Sequence, residues 1–261
     1  MALKAKLASV VAKETKDGNA DRISVFTVAF RSGEWAGVNE NDTYDPASLL
    51  KVPIMIAYLQ WAETNPSVLE QQFSYSGDDQ NANEYFKSAN DIRPGVAYTA
   101  NDLLAHMIGN SDNNAALLLE NSIPKDQLTK VYTDLKLSVP SGAAATPDYI
   151  SAVQYAYFFR VLYNATYLDR FYSEKALDLL SLPDFTEGIV AGLPAKTVTA
   201  QKFGERSVVA NNVLMNRELH DCGIVYKPND PYLVCVMTQG TNFNALTGVI
   251  KDISALVYQN M

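Results

Sequence analysis

The chain has 261 residues, 48% of them hydrophobic, with only 11 prolines and 13 glycines. That is enough apolar material for a sizeable core in one or two domains, and it excludes a disordered chain. The formal net charge is -8, from 21 basic and 29 acidic side chains, and no dense Lys/Arg cluster occurs, which argues against a nucleic-acid surface or a polybasic membrane patch.

The N-terminal segment MALKAKLASVVAKETKDG places Leu3, Leu7, Val10 and Val11 on one face, so the spacing predicts a helix over 2–16 rather than an export signal, which would need a longer apolar run. DRISVFTVAF (21–30) is rich in β-branched residues and predicts a strand, and GEWAGVNEND predicts a turn with a second short strand. DPAS then opens a new element, with Asp45 or Ser48 at its start and Pro46 near a first helical position. LLKVPIMIAYLQWAE continues it as a strongly apolar, buried helix in which Pro53 falls in the first turn, where its missing N–H costs little. No apolar stretch exceeds about five or six residues, far short of the roughly 20 needed to span a bilayer.

Residues 64–98 are polar and loop-rich. TANDLLAHMIG (99–109) predicts a helix capped by Thr99. NSDNNAALLLENSI predicts a polar corner followed by a helix, and a further helix covers 125–135. KLSVPSGAAAT (136–146) is a short loop. Helices are expected over 147–163 and 173–180, the second elements of a long helical region. After residue 190 the pattern changes: VTAQKFG, ELHDCGIVY and YLVCVMTQG predict three strands, with KPNDP as the hairpin turn between the last two. Residues 241–258 predict a closing helix. This order predicts an α/β (α+β) fold in which residues 1–45 and 190–261 form a sheet domain from both chain ends and residues 46–189 form a mainly helical domain. A hairpin centred between Pro228 and Asn229 sets Cys222 opposite Cys235; two small buried thiols are the expectation, with a disulfide as the alternative. With two cysteines, two histidines and neither CxxC nor HExxH, no metal or cofactor is expected.

Three short motifs carry chemistry. Ser48 and Lys51 lie three residues apart at the start of a helix, which puts them on one face. A serine hydroxyl is a weak nucleophile until a neighbour takes its proton, and a neutral lysine amine can do so. Ser111-Asp112-Asn113 forms a helix-bounded corner. There Ser111 can relay a proton, Asn113 can donate to a substrate amide carbonyl, and Asp112 can satisfy local backbone donors. Lys202-Phe203-Gly204 stands on a strand. Lys202 can bind a substrate carboxylate, Gly204 lets substrate backbone approach, and the Glu205 amide can pair with the Ser48 amide as an oxyanion hole. Taken singly, each motif also has a plain structural reading: a helix cap, a turn, a surface strand.

In combination, DPASLLKVPIMIAYL, YTANDLLAHMIGNSDNNAALLL and VTAQKFGE followed by HDCGIVY and YLVCVMTQG resemble the SxxK, SDN and KTG set of the serine β-lactamase and penicillin-binding protein superfamily, class A most of all. The resemblance implies an antiparallel sheet flanked by terminal helices, beside an all-helical domain. It implies Ser48 as nucleophile, Lys51 as general base or partner of the base, and Ser111, Asn113 and Lys202 around the substrate. It implies acylation by a β-lactam or a D-Ala-D-Ala peptide of the peptidoglycan stem; a monomer is expected. It also implies work outside the cytoplasmic membrane, which requires an export signal to have been removed.

The sequence departs from that pattern at two places. Class A enzymes carry a glutamate in an omega loop that orients the deacylating water; here the stretch Leu135–Thr146 is short and holds no glutamate. Asp148, the nearest acid, is expected at a helix start. Phe203 replaces the hydroxyl residue of the third motif, and no arginine stands plainly on the following strand, so His220 and Arg206 become the candidates to replace it. These losses predict an acylation apparatus with weak deacylation. The alternatives are a β-lactamase with another route to water and a non-catalytic cell-wall peptide binding module.

Overall fold

The structure is a computed structural model that describes residues 2–137 and 147–261. In chain order, helix α1 (Ala2–Lys16) leads into strands β1 (Arg22–Ala29), β2 (Trp35–Val38) and β3 (Thr43–Tyr44). A 3-10 turn over Ala47–Leu50 runs into α2 (Lys51–Thr64), followed by β4 (Gln72–Ser74), β5 (Ala97–Thr99), α3 (Ala100–Gly109), α4 (Asn113–Ser122) and α5 (Lys125–Asp134). Then come β6 (Ile150–Ser151), α6 (Ala152–Tyr163), α7 (Arg170–Leu180), β7 (Thr199–Ala210), β8 (Val213–Val225), β9 (Tyr232–Gly240) and α8 (Phe243–Asn260). The fold class is the expected mixed one, an antiparallel sheet with eight helices among the described residues. No helix among them is long and apolar enough to cross a membrane.

The chain separates into two compact units. The first holds residues 2–49, 147–159 and 186–261; the second holds 50–137 and 160–185. Residues 147–159, placed by their sequence with the helical part, belong to the unit that contains the sheet. That sheet has the order β2-β1-β9-β8-β7, every pair antiparallel. Nearly all of β1 and β9 is buried on both faces, so these strands read as continuous apolar runs rather than alternating ones. Helix α8 packs on β8 and β9, and α1 on β1 and β2.

Two expectations need correction here. Strands β7 and β8 are longer than the sequence pattern suggested and meet in a tight turn at Asn211-Asn212, both with positive φ (50° and 61°). Two consecutive left-handed residues are what a two-residue hairpin requires, and asparagine tolerates them. Cys222 and Cys235 are cross-strand partners, as the hairpin register implied, but they are joined in a disulfide rather than left as two thiols.

In the second unit, α2 is apolar on all sides, and every residue from Lys51 to Leu59 is buried. A helix of that kind serves as the core of its unit; α3, α4, α5 and α7 pack around it. Tyr58 donates its hydroxyl to the Leu119 carbonyl at 3.1 Å, and Tyr172 donates to that of Ala62 at 3.1 Å, so the two buried phenols are satisfied. Thr99 caps α3 reciprocally with Asp102: the Asp102 N–H donates to Thr99 Oγ1 and the Thr99 N–H to Asp102 Oδ2, each at 3.1 Å.

Candidate active site

In the second unit the structure brings Lys51, Ser111 and Asn113 together. Lys51 opens α2 and is 5% exposed. Its Nζ donates to the Ser111 carbonyl, to Ser111 Oγ at 3.1 Å and to Asn113 Oδ1 at 2.6 Å. Ser111 adopts φ = 56°, a conformation that an L-residue with a Cβ keeps only when its surroundings impose it.

Asp112 imposes it. This carboxylate is wholly buried. Its Oδ1 accepts the N–H groups of Asn114 and Ala115, at 2.8 and 3.1 Å, as the cap of α4, and also takes the Asn81 amide at 3.0 Å. Its Oδ2 accepts the Ile92 N–H at 2.6 Å. Four donors on one carboxylate satisfy the helix start and tie the 79–92 loop to the corner. Asn81 returns the grip by accepting the Asn113 N–H at 2.7 Å. Asp91, on the same loop, is pushed up to about 6 by burial and by its acidic neighbours Asp112, Asp79 and Asp184.

Asn113 shows a feature its sequence did not announce. Its Nδ2 donates to Glu84 Oε1 at 2.6 Å and to the Gln80 carbonyl at 3.3 Å. The amide expected to reach a substrate carbonyl is therefore engaged by the protein's own 80–84 segment. Neither Asn81 nor Glu84 carried a signal, because both lie in a polar stretch without periodicity.

In the first unit, Ser48 sits in the 3-10 turn directly before α2. Tyr155, wholly buried, donates its hydroxyl to the Leu49 carbonyl at 3.0 Å. Strand β7 passes close to this turn. A Cβ on Gly204 would stand 3.1 Å from the Pro46 carbonyl oxygen and 3.2 Å from the Leu49 nitrogen. A side chain at this position would press on the serine turn, a close approach of backbone that glycine accommodates. Glu205 follows on β7, which is the sheet edge, so alternate main-chain groups of the strand are turned away from β8.

Lys202 is wholly buried. Its Nζ donates to the Phe203 carbonyl at 2.9 Å and lies 4.5 Å from the centroid of the Phe203 ring. Asp221, opposite Phe203 on β8, is buried completely; desolvation pushes its carboxyl up to about 7, against the Ile189 N–H and the charge of Lys202, which both favour the carboxylate.

His220 and Arg206, the candidates for a substrate-facing cation, are both turned to Asp45. His220 is 0% exposed, packs edge-on against Tyr44, and directs Nε2 to the Asp45 carbonyl at 2.9 Å. Arg206 forms an ion pair with the Asp45 carboxylate. His220 Nδ1 faces the Thr238 N–H at 3.4 Å, so both ring nitrogens of His220 have partners within the protein. The extended β8 also contains Arg217, an arginine that the shorter expected strand left out; its guanidinium lies 4.7 Å from the Phe243 ring centroid. Asp148 does not begin a helix: α6 starts at Ala152, and Asp148 pairs with Arg22 at 3.2 Å. Of the omega-loop stretch Leu135–Thr146, residues 138–146 lie outside the described residues.

Comparison with known proteins gives the family and the fold. The family model described as the β-lactamase enzyme family matches residues 2–261. No curated protein matches significantly. Among solved structures, PBP-A is similar over 99% of this chain and 95% of its own, with a TM-score of 0.79 and 19% identity. A PBP-A point mutant captured as an acyl-enzyme complex with penicillin G covers 98% and 95% with a TM-score of 0.78, also at 19% identity. A class A β-lactamase from Mycobacterium abscessus covers 98% of each chain with a TM-score of 0.79 and 20% identity.

Proposed function

Because the chain belongs to the β-lactamase enzyme family, we propose that it is a serine acyl-transfer enzyme acylated at Ser48 by β-lactams or by D-Ala-D-Ala peptides. In this reading neutral Lys51 takes the Ser48 hydroxyl proton. Ser48 Oγ bonds to the amide carbon, the C–N bond breaks, and the leaving nitrogen receives a proton through Ser111. The Ser48 and Glu205 amides stabilise the oxyanion, Lys202 attracts the substrate carboxylate, and water or an amine later takes the acyl group. The observation that carries the reading is the buried Lys51 Nζ held by Ser111 and Asn113. A lysine placed only for charge would point to solvent; this one connects the first motif to the second.

Weak deacylation is part of the proposal. It is supported by the sequence between 135 and 146, which holds no glutamate, and by Asp148, which is paired with Arg22. An extracytoplasmic location is proposed on the Cys222–Cys235 disulfide, since such bonds persist in oxidising compartments.

The test is intact mass over time after mixing with penicillin G. A long-lived adduct is expected on the wild type and none on Ser48→Ala. Lys51→Ala should slow adduct formation by roughly 10²–10⁴, the usual worth of a general base. Fast turnover without accumulating adduct would replace this reading with an efficient β-lactamase. No adduct from any β-lactam or activated acyl donor would leave a binding module.

A further inference from the structure

Asp45 belongs to none of the three motifs, yet its side chain and both main-chain groups are engaged. Oδ1 accepts the Ala47 N–H at 2.8 Å, and Oδ2 is paired with Arg206 Nη1. The Asp45 N–H donates to Glu218 Oε2 at 3.2 Å, and its carbonyl accepts from His220 Nε2 at 2.9 Å. Glu218 and His220 are themselves held. Glu218 is 2% exposed and its Oε1 accepts the Gln239 amide at 2.7 Å. His220 presents Nδ1 to the Thr238 N–H at 3.4 Å. These partners fix the tautomer with the proton on Nε2, the form that can donate to a carbonyl. Strands β7 and β8 thus grip one residue, three positions before Ser48.

What the grip restrains is Ala47. Its φ is 46°, a region that an alanine avoids when free. The Ala47 peptide plane leads directly into Ser48, so the ψ of Ala47 sets the direction of the Ser48 N–H. The Ala47 N–H itself is anchored on Asp45. We propose that Asp45, clamped by Arg206, Glu218 and His220, is a positioning residue: it holds Ala47 left-handed and so aims the Ser48 amide and hydroxyl for acyl transfer. This rests on the acylation of Ser48 proposed above. It assigns the Arg206 charge to Asp45 rather than to substrate.

The experiment compares wild type with Asp45→Ala, Asp45→Asn and Arg206→Ala. Rapid mixing with penicillin G separates the acylation rate constant from the dissociation constant of the non-covalent complex, and amide hydrogen exchange is followed across residues 45–50. Asp45→Ala should slow acylation roughly 30-fold with the dissociation constant changed less than about twofold. Asp45→Asn keeps an oxygen for the Ala47 N–H and should recover most of that loss. Arg206→Ala should fall between them, and exchange should quicken in the same order. Thermal melts confirm folding, and if Asp45→Ala does not fold, the other two variants carry the test. Acylation within twofold of wild type and unchanged exchange in the folded variants would overturn the proposal. So would an Arg206→Ala enzyme that binds penicillin weakly but acylates at the normal rate, because Arg206 is then a substrate contact. If the wild type accepts no acyl group, the functional reading fails and exchange alone decides: faster exchange confined to 45–50 upholds the positioning role, and no change ends it.

Discussion

The corner at Ser111–Asn113 and the sheet edge at β7–β8 are built in opposite ways. At the corner, a single carboxylate, Asp112, caps the helix that follows it through N–H groups two and three residues on, and the same carboxylate takes the Asn81 amide and the Ile92 N–H from one polar loop. At the edge, the decisive contacts join residues far apart in sequence. Arg206 and His220 reach Asp45, and Asp221 holds the Ile189 N–H. The corner thus has a part, the helix cap, that its neighbours in sequence announce; the edge contacts of Arg206, His220 and Asp221 have none.

The sharpest way to break this contrast is Asp112→Ala. It removes the α4 cap, worth about 1 kcal/mol, and leaves the buried Asn81 amide and the Ile92 N–H without an acceptor, at roughly 1–3 kcal/mol each. A total on the order of 3 kcal/mol is expected, a fall in melting temperature of roughly 8 °C for a chain of this size. Calorimetry checks it. A loss under about 1 kcal/mol would mean that the corner does not depend on Asp112.

The same contrast explains what could be read from the letters alone. The all-apolar run of α2, the Thr99 cap and the SDN corner depend on neighbours in sequence, and the sequence displayed them. The register that sets Cys222 against Cys235 followed from the Lys227–Asp230 turn. The Asn211-Asn212 turn was missed because Val208, Val209, Val213 and Leu214 around it are uncovered by any third strand, and the strand pattern there lacks alternation. Glu218, Glu84 and the distant partners of Asp45 were invisible for another reason: each contact joins residues at least 29 positions apart, and a lone acid in a loop or strand looks like any surface charge until its partner is placed.

A second prediction turns to the edge. The Asp221 carboxyl is raised by burial to about 7, so the folded protein holds a proton that the unfolded chain releases near the ordinary value of about 3.9. In that interval the native state binds more protons than the unfolded state, and stability must fall as pH rises. The contribution is therefore greatest below about pH 4, declines up to about pH 7 and is flat above it. Asp221→Asn should remove this decline from a series of denaturant melts. Lys202→Met takes away a charge that favours the carboxylate, so the decline should extend to higher pH. A wild-type protein whose Asp221-dependent stability rises across pH 4–7 would show the carboxylate to be stabilised by the edge rather than desolvated in it.

The smallest expected effect tests whether the corner is ready for substrate or occupied by its own chain. Both N–H groups of the Asn113 amide are used internally, the shorter contact being the 2.6 Å bond to Glu84 Oε1. A substrate carbonyl that draws on this amide must displace an ionised acceptor, and such bonds are roughly twice as strong as neutral ones. Glu84→Ala removes the competitor while leaving Lys51 on Asn113 Oδ1. The non-covalent dissociation constant for a β-lactam bearing an acylamino side chain should then fall roughly threefold, because the modest net worth of the substrate hydrogen bond is no longer offset by loss of the internal one. One lacking that group should bind as it does to the wild type. Equal tightening for both ligands would assign the effect to the removal of negative charge, and weaker binding of both would make Glu84 a support of Asn113 rather than its competitor.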